Sequence, residues 1–124
     1  LESRNQQVEL AGIFYHIGEN DMSWGPFRQG APERLMSLIK QSRIDLAIPA
    51  LKWYVSQQPP TDDERVNKLD VTQALEQAFA SDKDLIYIQA FDHPKQDKKL
   101  VLDTAGIVWL GERMAAEYVQ RTKK

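Results

Sequence analysis

The sequence predicts an α/β domain built on a parallel sheet, and three observations predict it. Short apolar runs alternate three times with longer amphipathic segments. The apolar runs are rich in branched and aromatic residues and end at glycine, proline or a polar cluster. The amphipathic segments carry apolar residues at helical spacing. Strand, helix, strand, helix, strand, helix implies parallel strands joined by right-handed crossovers, in a three-layer αβα arrangement.

The first strand lies in "VELAGIFYHIG" and ends at Gly18. A loop holding Gly25, Pro26 and Gly30 follows. "APERLMSLIKQSRI" then reads as a helix. Pro32 falls where a first-turn proline is tolerated, Glu33 favours the positive end of the dipole, and Leu35, Leu38 and Ile39 share a face. The second strand begins in "ALKWYVSQQPP", where Leu51, Trp53 and Val55 alternate with Lys52, Tyr54 and Ser56 until Pro59 and Pro60 stop it. In "LDVTQALEQAFAS", Asp70 with Gln73 resembles a capping box, and Val71, Ala74, Leu75, Ala78 and Phe79 form one stripe.

"KDLIYIQAF" supplies a short, continuously apolar third strand, and the loop "DHPKQDKK" follows. The last helix, "DTAGIVWLGERMAAEYVQRTKK", is capped by Asp103 or Thr104, with Ile107, Leu110, Met114, Ala115 and Tyr118 expected to face the core. No repeat, low-complexity tract or second domain interrupts the 124 residues, which suit one domain. Three parallel strands make a small sheet with two open edges. Either further strands hide in the loops, or a second chain or further segment completes the sheet.

Composition is ordinary for a globular protein, and the net charge is −2. Lysine and arginine are scattered, which argues against a nucleic-acid partner; the terminal "RTKK" reads as a solvated helix end. The absence of cysteine removes disulfides, thiol catalysis and cysteine-ligated zinc, and leaves the compartment open. No apolar run approaches the roughly 20 residues that span a bilayer, and no signal peptide is visible. The start at "LESRNQQ", without methionine, fits a processed protein, a trimmed one or a fragment.

Ligands of open parallel sheets bind beyond the carboxyl ends of the strands. The loops there supply His16, Glu19, Asn20 and Asp21, then Ser56, Gln57 and Gln58, then Asp92 and His93. No Walker loop or GxGxxG follows a strand, no GxSxG elbow is present, and neither histidine has a second metal ligand at helical spacing. No cofactor is implied. The acidic residues and lysine of an aspartyl-phosphate receiver are also misplaced, with Asp21 late and Lys95 after a proline.

"FYHIGENDMSWG" resembles the third sequence block of the SGNH hydrolase superfamily, whose core is Gly-x-Asn-Asp. Here that core is Gly18, Glu19, Asn20 and Asp21. The longer form is similar to "W-H-Q-G-E-[SN]-D" of the sialate O-acetylesterase-like carbohydrate esterases. "LMSLIKQSR" and "PALKWYVSQQ" resemble that branch too, and "LDTAGIVWLGERMAAEYV" resembles its closing "H-x-D-T-A-G-x-x-x-L-G-x-R-x-A". The similarity runs over residues 8–119 and covers the later half of such a domain. It implies a flavodoxin-like SGNH fold, with residues 1–124 a single domain or the C-terminal part of one.

The resemblance implies acetyl-ester hydrolysis on a carbohydrate. It places Asn20 as the donor to the oxyanion, a contribution of about 3 kcal/mol. Glu19 and Asp21 would brace the loop, and Gly18, Glu19, Asp21, Trp24 and Gln57 would form the substrate side. A periplasmic or secreted location goes with it.

Departures accompany it. The branch's glutamine before the glycine is Ile17 here. The family's serine block lies upstream of its third block, and Ser3 has no strand before it. The positions of the catalytic histidine and aspartate fall on Val101 and Lys98, or on Leu100 and Asp97 in a frame slipped by one. His93, beside Asp92, is the histidine left in the right loop to serve as base.

Plainer readings stand beside these. Gly18–Asp21 also reads as a turn, His16 as a packed core histidine, Trp53 and Trp109 as core, and Glu112 with Arg113 as a solvated helix face. Trp24 suits either a sugar platform or packing. The alternative functions are a non-catalytic glycan- or protein-binding α/β module and a flavodoxin-like module unrelated to esterases.

Overall fold

The computed structural model describes residues 8–17, 25–57, 70–88 and 102–123. The elements run β1 (Ile13–Ile17), α1 (Gly25–Asp45), β2 (Trp53–Gln57), α2 (Asp70–Ala80), β3 (Leu85–Ile88) and α3 (Thr104–Thr122). The strands form one parallel sheet in the order β1-β2-β3. Ile13 pairs with Trp53 and Trp53 with Leu85, so the three strands start level. The α/β class and parallel sheet expected from the alternation are therefore present.

Alternation along the strands divides the core in two. On one face Ile17, Trp53, Val55 and Leu85 pack with Leu35 and Ile39 of α1 and Leu75 and Phe79 of α2. On the other, Tyr54, Ile86 and Ile88 pack with Met114 and Tyr118 of α3. Two helices lie on one side and one on the other, giving the three layers. β2 is central, and all five of its residues are buried. The polar half of its sequence alternation thus reflects a second covered face rather than solvent.

α1 starts at Gly25, earlier than the sequence reading, and includes the expected loop residues Pro26 and Gly30. Pro26 occupies the first turn, where its missing N–H costs little. Pro32 is inside the helix, not in its first turn. Arg34 fastens this proline-containing stretch. Its Nη2 donates to the Phe27 carbonyl at 2.7 Å, its guanidinium stands 5.8 Å from the Phe27 ring centre, and a Cβ on Gly30 would collide with it. Leu35 and Ile39 are buried, but Leu38 is 46% exposed, at the margin of the face it was expected to share.

The helix ends in a Schellman motif: the Ile48 N–H donates to the Arg43 carbonyl at 3.0 Å and the Ala47 N–H to that of Ile44 at 3.1 Å. Ala47 occupies the left-handed position at φ 53°, which a Cβ disfavours. Arg43 then ties the base of the fold together. Its Nε and Nη2 donate to the Leu51 carbonyl at 3.2 and 3.0 Å, and its Nη1 to Asp82 Oδ2 at 2.6 Å. One side chain thus joins the end of α1, the entry to β2 and the turn between α2 and β3. Its hydrogen bond, foremost, holds the Asp82 carboxyl below the usual carboxylate range.

α2 begins at Asp70, with Leu75 and Phe79 buried; the side chains of residues 70–74, and with them the expected capping box of Asp70 and Gln73, lie outside the described set. α3 is capped by Asp103, whose Oδ1 accepts from the Gly106 N–H at 2.8 Å. The expected inward face of α3 needs correction. Leu110, Met114 and Tyr118 do meet the core, but Ile107 is 61% exposed and Ala115 is also exposed. The buried line runs through Gly106 and Leu110 instead, so the apolar stripe is wider than the contact it makes.

Two predictions follow from these contacts. Ala47→Gly should raise stability by about 1 kcal/mol, measured by chemical denaturation, because glycine relieves the left-handed backbone. Asp82→Asn should lower stability by about 1 kcal/mol at neutral pH. A carboxyl with a depressed folded-state pKa stabilises above its unfolded pKa and ceases to as pH falls through the folded value. The gap between parent and variant should therefore close below about pH 4.

Candidate functional site

The chain leaves β1 at Ile17 and β2 at Gln57, which are register partners on one rim of the sheet. Ser56 pairs with Ile88 at the end of β3, so all three strands finish on that rim. Parallel pairing is what aligns them: every strand in such a sheet points its carboxyl end the same way. The residues expected to carry the site, Gly18, Glu19, Asn20, Asp21, Trp24, Asp92 and His93, lie outside the described residues. So do Gln58, Lys98 and Val101.

Among the described rim residues, His16 and Ser56 meet across β1 and β2. His16 Nδ1 and Ser56 Oγ lie 2.9 Å apart. Each is the penultimate residue of its strand, and the register sets them side by side on the α3 face. The sequence carries no signal for this pairing, because it depends on the level register that sets "YHI" of β1 against "VSQ" of β2. A histidine within hydrogen-bond reach of a serine is the geometry of a general base and its nucleophile. Ser56, however, is 0% exposed, so its hydroxyl is closed to an incoming ester. The pair braces the ends of β1 and β2, as the reading of His16 as a packed, hydrogen-bonded histidine expects.

Gln57 is also 0% exposed. By alternation it shares the α1 and α2 side with Trp53 and Val55. Ile17, which stands where the sugar-esterase branch has glutamine, is 2% exposed and packs in the core beside it. Trp53 is a core residue at 2% exposure. Trp109 is half-buried under the Arg113 guanidinium, 5.6 Å from its ring centre, so Arg113 lies over a ring rather than on a wholly solvated face, while Glu112 is exposed.

Tyr54 lies deeper on the α3 face, stacked on Phe14 at 4.8 Å and edge-on to Tyr118 at 5.9 Å. Burial first, then the neighbouring Tyr118, pushes its hydroxyl pKa up, so it stays protonated at neutral pH. Among the described residues no three histidine, aspartate or glutamate side chains are arranged to hold a metal ion. No described helix is long and apolar enough to cross a membrane. A cavity of about 560 Å³ beside Met36, Lys40, Arg43 and Ile44 lies at the C-terminal end of α1, away from the rim.

Ser56→Ala should lower the stability of the chain by about 1 kcal/mol in denaturant titrations, because it removes the partner of a part-buried imidazole nitrogen. A neutral or stabilising effect would mean that this contact contributes nothing.

The fold and the rim can be set against known proteins. A protein from Arabidopsis thaliana, solved by X-ray crystallography, superposes with a TM-score of 0.69 at 22% identity, over 96% of this chain and 48% of its own. That likeness concerns the fold, and the chain spans about half the length of this neighbour. No curated protein sequence matches. The family model for carbohydrate esterase, sialic acid-specific acetylesterase matches residues 1–120. With nearly the whole chain inside that match, the protein belongs to this carbohydrate esterase family.

Proposed function

We propose that the chain supplies the oxyanion and substrate side of an SGNH-type esterase that removes acetyl groups from a carbohydrate. The observation that carries this is the family match over residues 1–120, which includes the Gly18–Asp21 block directly after β1. In this reading Asn20 donates its amide N–H to the oxygen that becomes negative when a nucleophile adds to the acetyl carbonyl. A fixed donor there contributes about 3 kcal/mol, because it interacts more strongly with the transition state than with the ester.

Gly18 keeps the turn tight, Glu19 and Asp21 brace it, and Trp24 lies on the sugar side; Gln57, expected there from the sequence, is enclosed on the α1 and α2 side of the sheet and takes no part. Val101 and Lys98 cannot serve as base and orienting acid, so His93, assisted by Asp92, is the base this chain offers. Ser56 is enclosed and is not the nucleophile; in this reading the nucleophilic serine belongs to the earlier half of the family's domain.

The test is hydrolysis of p-nitrophenyl acetate and of O-acetylated sialic acid by this chain alone and joined to the serine-bearing portion. The chain alone should not exceed the background rate. The joined protein should turn over, and Asn20→Ala should lower its kcat by about 100-fold or more. An unchanged kcat in Asn20→Ala removes the oxyanion role, and an unchanged kcat in His93→Ala removes the base.

A second reading is favoured by valine and lysine at positions 101 and 98: a non-catalytic module that binds a glycan or a protein on the same rim. For the glycan case it requires saturable binding of the acetylated sugar without turnover, lost in Trp24→Ala.

A further inference from the structure

The strand that leads into the Gly18–Asp21 block is the least enclosed of the three. Phe14 is 47% exposed, and Ile13, Tyr15 and His16 are half-buried, whereas every residue of β2 is buried. Within β1 only the last residue, Ile17, is buried. Packing therefore fixes β1 weakly along its length, and what holds it at the rim decides how the chain enters the block.

Two contacts hold it there, one on each face of the sheet. On the α1 and α2 side Ile17 packs in the core with Leu35 and Val55. On the α3 side His16 Nδ1 lies 2.9 Å from Ser56 Oγ. β2 is central and enclosed, so it is the fixed member of this pair, and β1 is the member held in place by it. Residues 53–55 of β2 are Trp, Tyr and Val, and a hydroxyl enclosed after them costs free energy unless it is bonded. Among the described residues, the Ser56 hydroxyl bonds His16. Apolar neighbours can slide past one another, but a hydrogen bond has a set length and direction. The tie therefore fixes the position of the β1 end in a way that Ile17 alone does not.

Asn20 lies four residues beyond His16 and three beyond Ile17, a reach of about 10 Å at full stretch. Over so short a span, a shift in the end of β1 passes to the amide little diminished. An oxyanion donor acts only when it stands about 3 Å from the developing charge. Misplacement by about 1 Å costs on the order of 100-fold in rate. We propose that His16 is a positioning residue of the oxyanion side: through Ser56 it fixes the end of β1, and so sets where the Asn20 amide stands. This rests on the esterase reading, which gives Asn20 its role.

The test uses the chain joined to the serine-bearing portion. Acetate release reads turnover, and the side-chain amide signal of Asn20 in proton–nitrogen NMR reads its position. Ser56→Ala and His16→Leu each break the tie. Each should shift the Asn20 signal and lower kcat by about tenfold or more with KM unchanged, because the donor acts in the transition state. The double variant should lose no more than either single one, since both remove the same contact. His16→Asn, whose side-chain amide can bond Ser56 in place of Nδ1, should bring kcat back to within about threefold of the parent. Ile86→Val loosens the same face of the sheet without touching the tie, and should leave kcat and the Asn20 signal in place. Where His16→Leu fails to fold, Ser56→Ala, which removes one oxygen atom, carries the comparison. Unchanged kcat in Ser56→Ala, losses that add in the double variant, a change in KM alone, or an equal loss in Ile86→Val overturns the proposal. Hydrolysis by the parent with an unmoved Asn20 signal in the variants overturns the tie and keeps the esterase reading. A moved signal in a protein that hydrolyses no ester keeps the tie and removes the esterase reading.

Discussion

Crossovers of one hand, taken in one direction across a parallel sheet, allow their helices only one side. With strands in the order β1-β2-β3, α1 and α2 must lie together. The other face is left to chain outside these two crossovers, and among the described residues α3 packs on it. Most of the molecule's character descends from this. β2 is buried on both faces, and the strands end on one rim.

Arg43 shows how few contacts hold such an arrangement level. The base of the sheet is where α1 hands over to β2 and α2 to β3, and both passages are fixed by the same guanidinium. Two of its hydrogen bonds satisfy one backbone carbonyl and the third holds a carboxylate. Level starts give level ends, and level ends put Ile17 beside Gln57 and His16 beside Ser56. The rim is therefore positioned from the opposite end of the sheet, through strand register.

Family membership and the residues at hand point in different directions on chemistry. The third-block loop and the last helix fit a carbohydrate esterase, and the match extends over residues 1–120. The positions that would carry the histidine and aspartate read as valine and lysine. The serine that does approach a histidine is enclosed in the sheet.

The sequence by itself determined the order and type of the elements, the parallel sheet, a cap at Asp103 or Thr104, and the block from Gly18 to Asp21 that points to the family. These are local signals: period, turn residues and short motifs, legible because neighbouring residues report them. It misplaced the start of α1, because glycine and proline at 25, 26, 30 and 32 argue locally for a loop, while Arg34 and packing against the sheet hold a helix there. It turned Ile107, Ala115 and Leu38 toward the core, because apolar residues on a helix outnumber those its partner can cover. Only the tertiary structure decided which stripe is buried, which edge of the sheet is open, and that His16 meets Ser56 across 40 residues of chain. Those depend on the register and on the side each helix takes, and no local pattern encodes either.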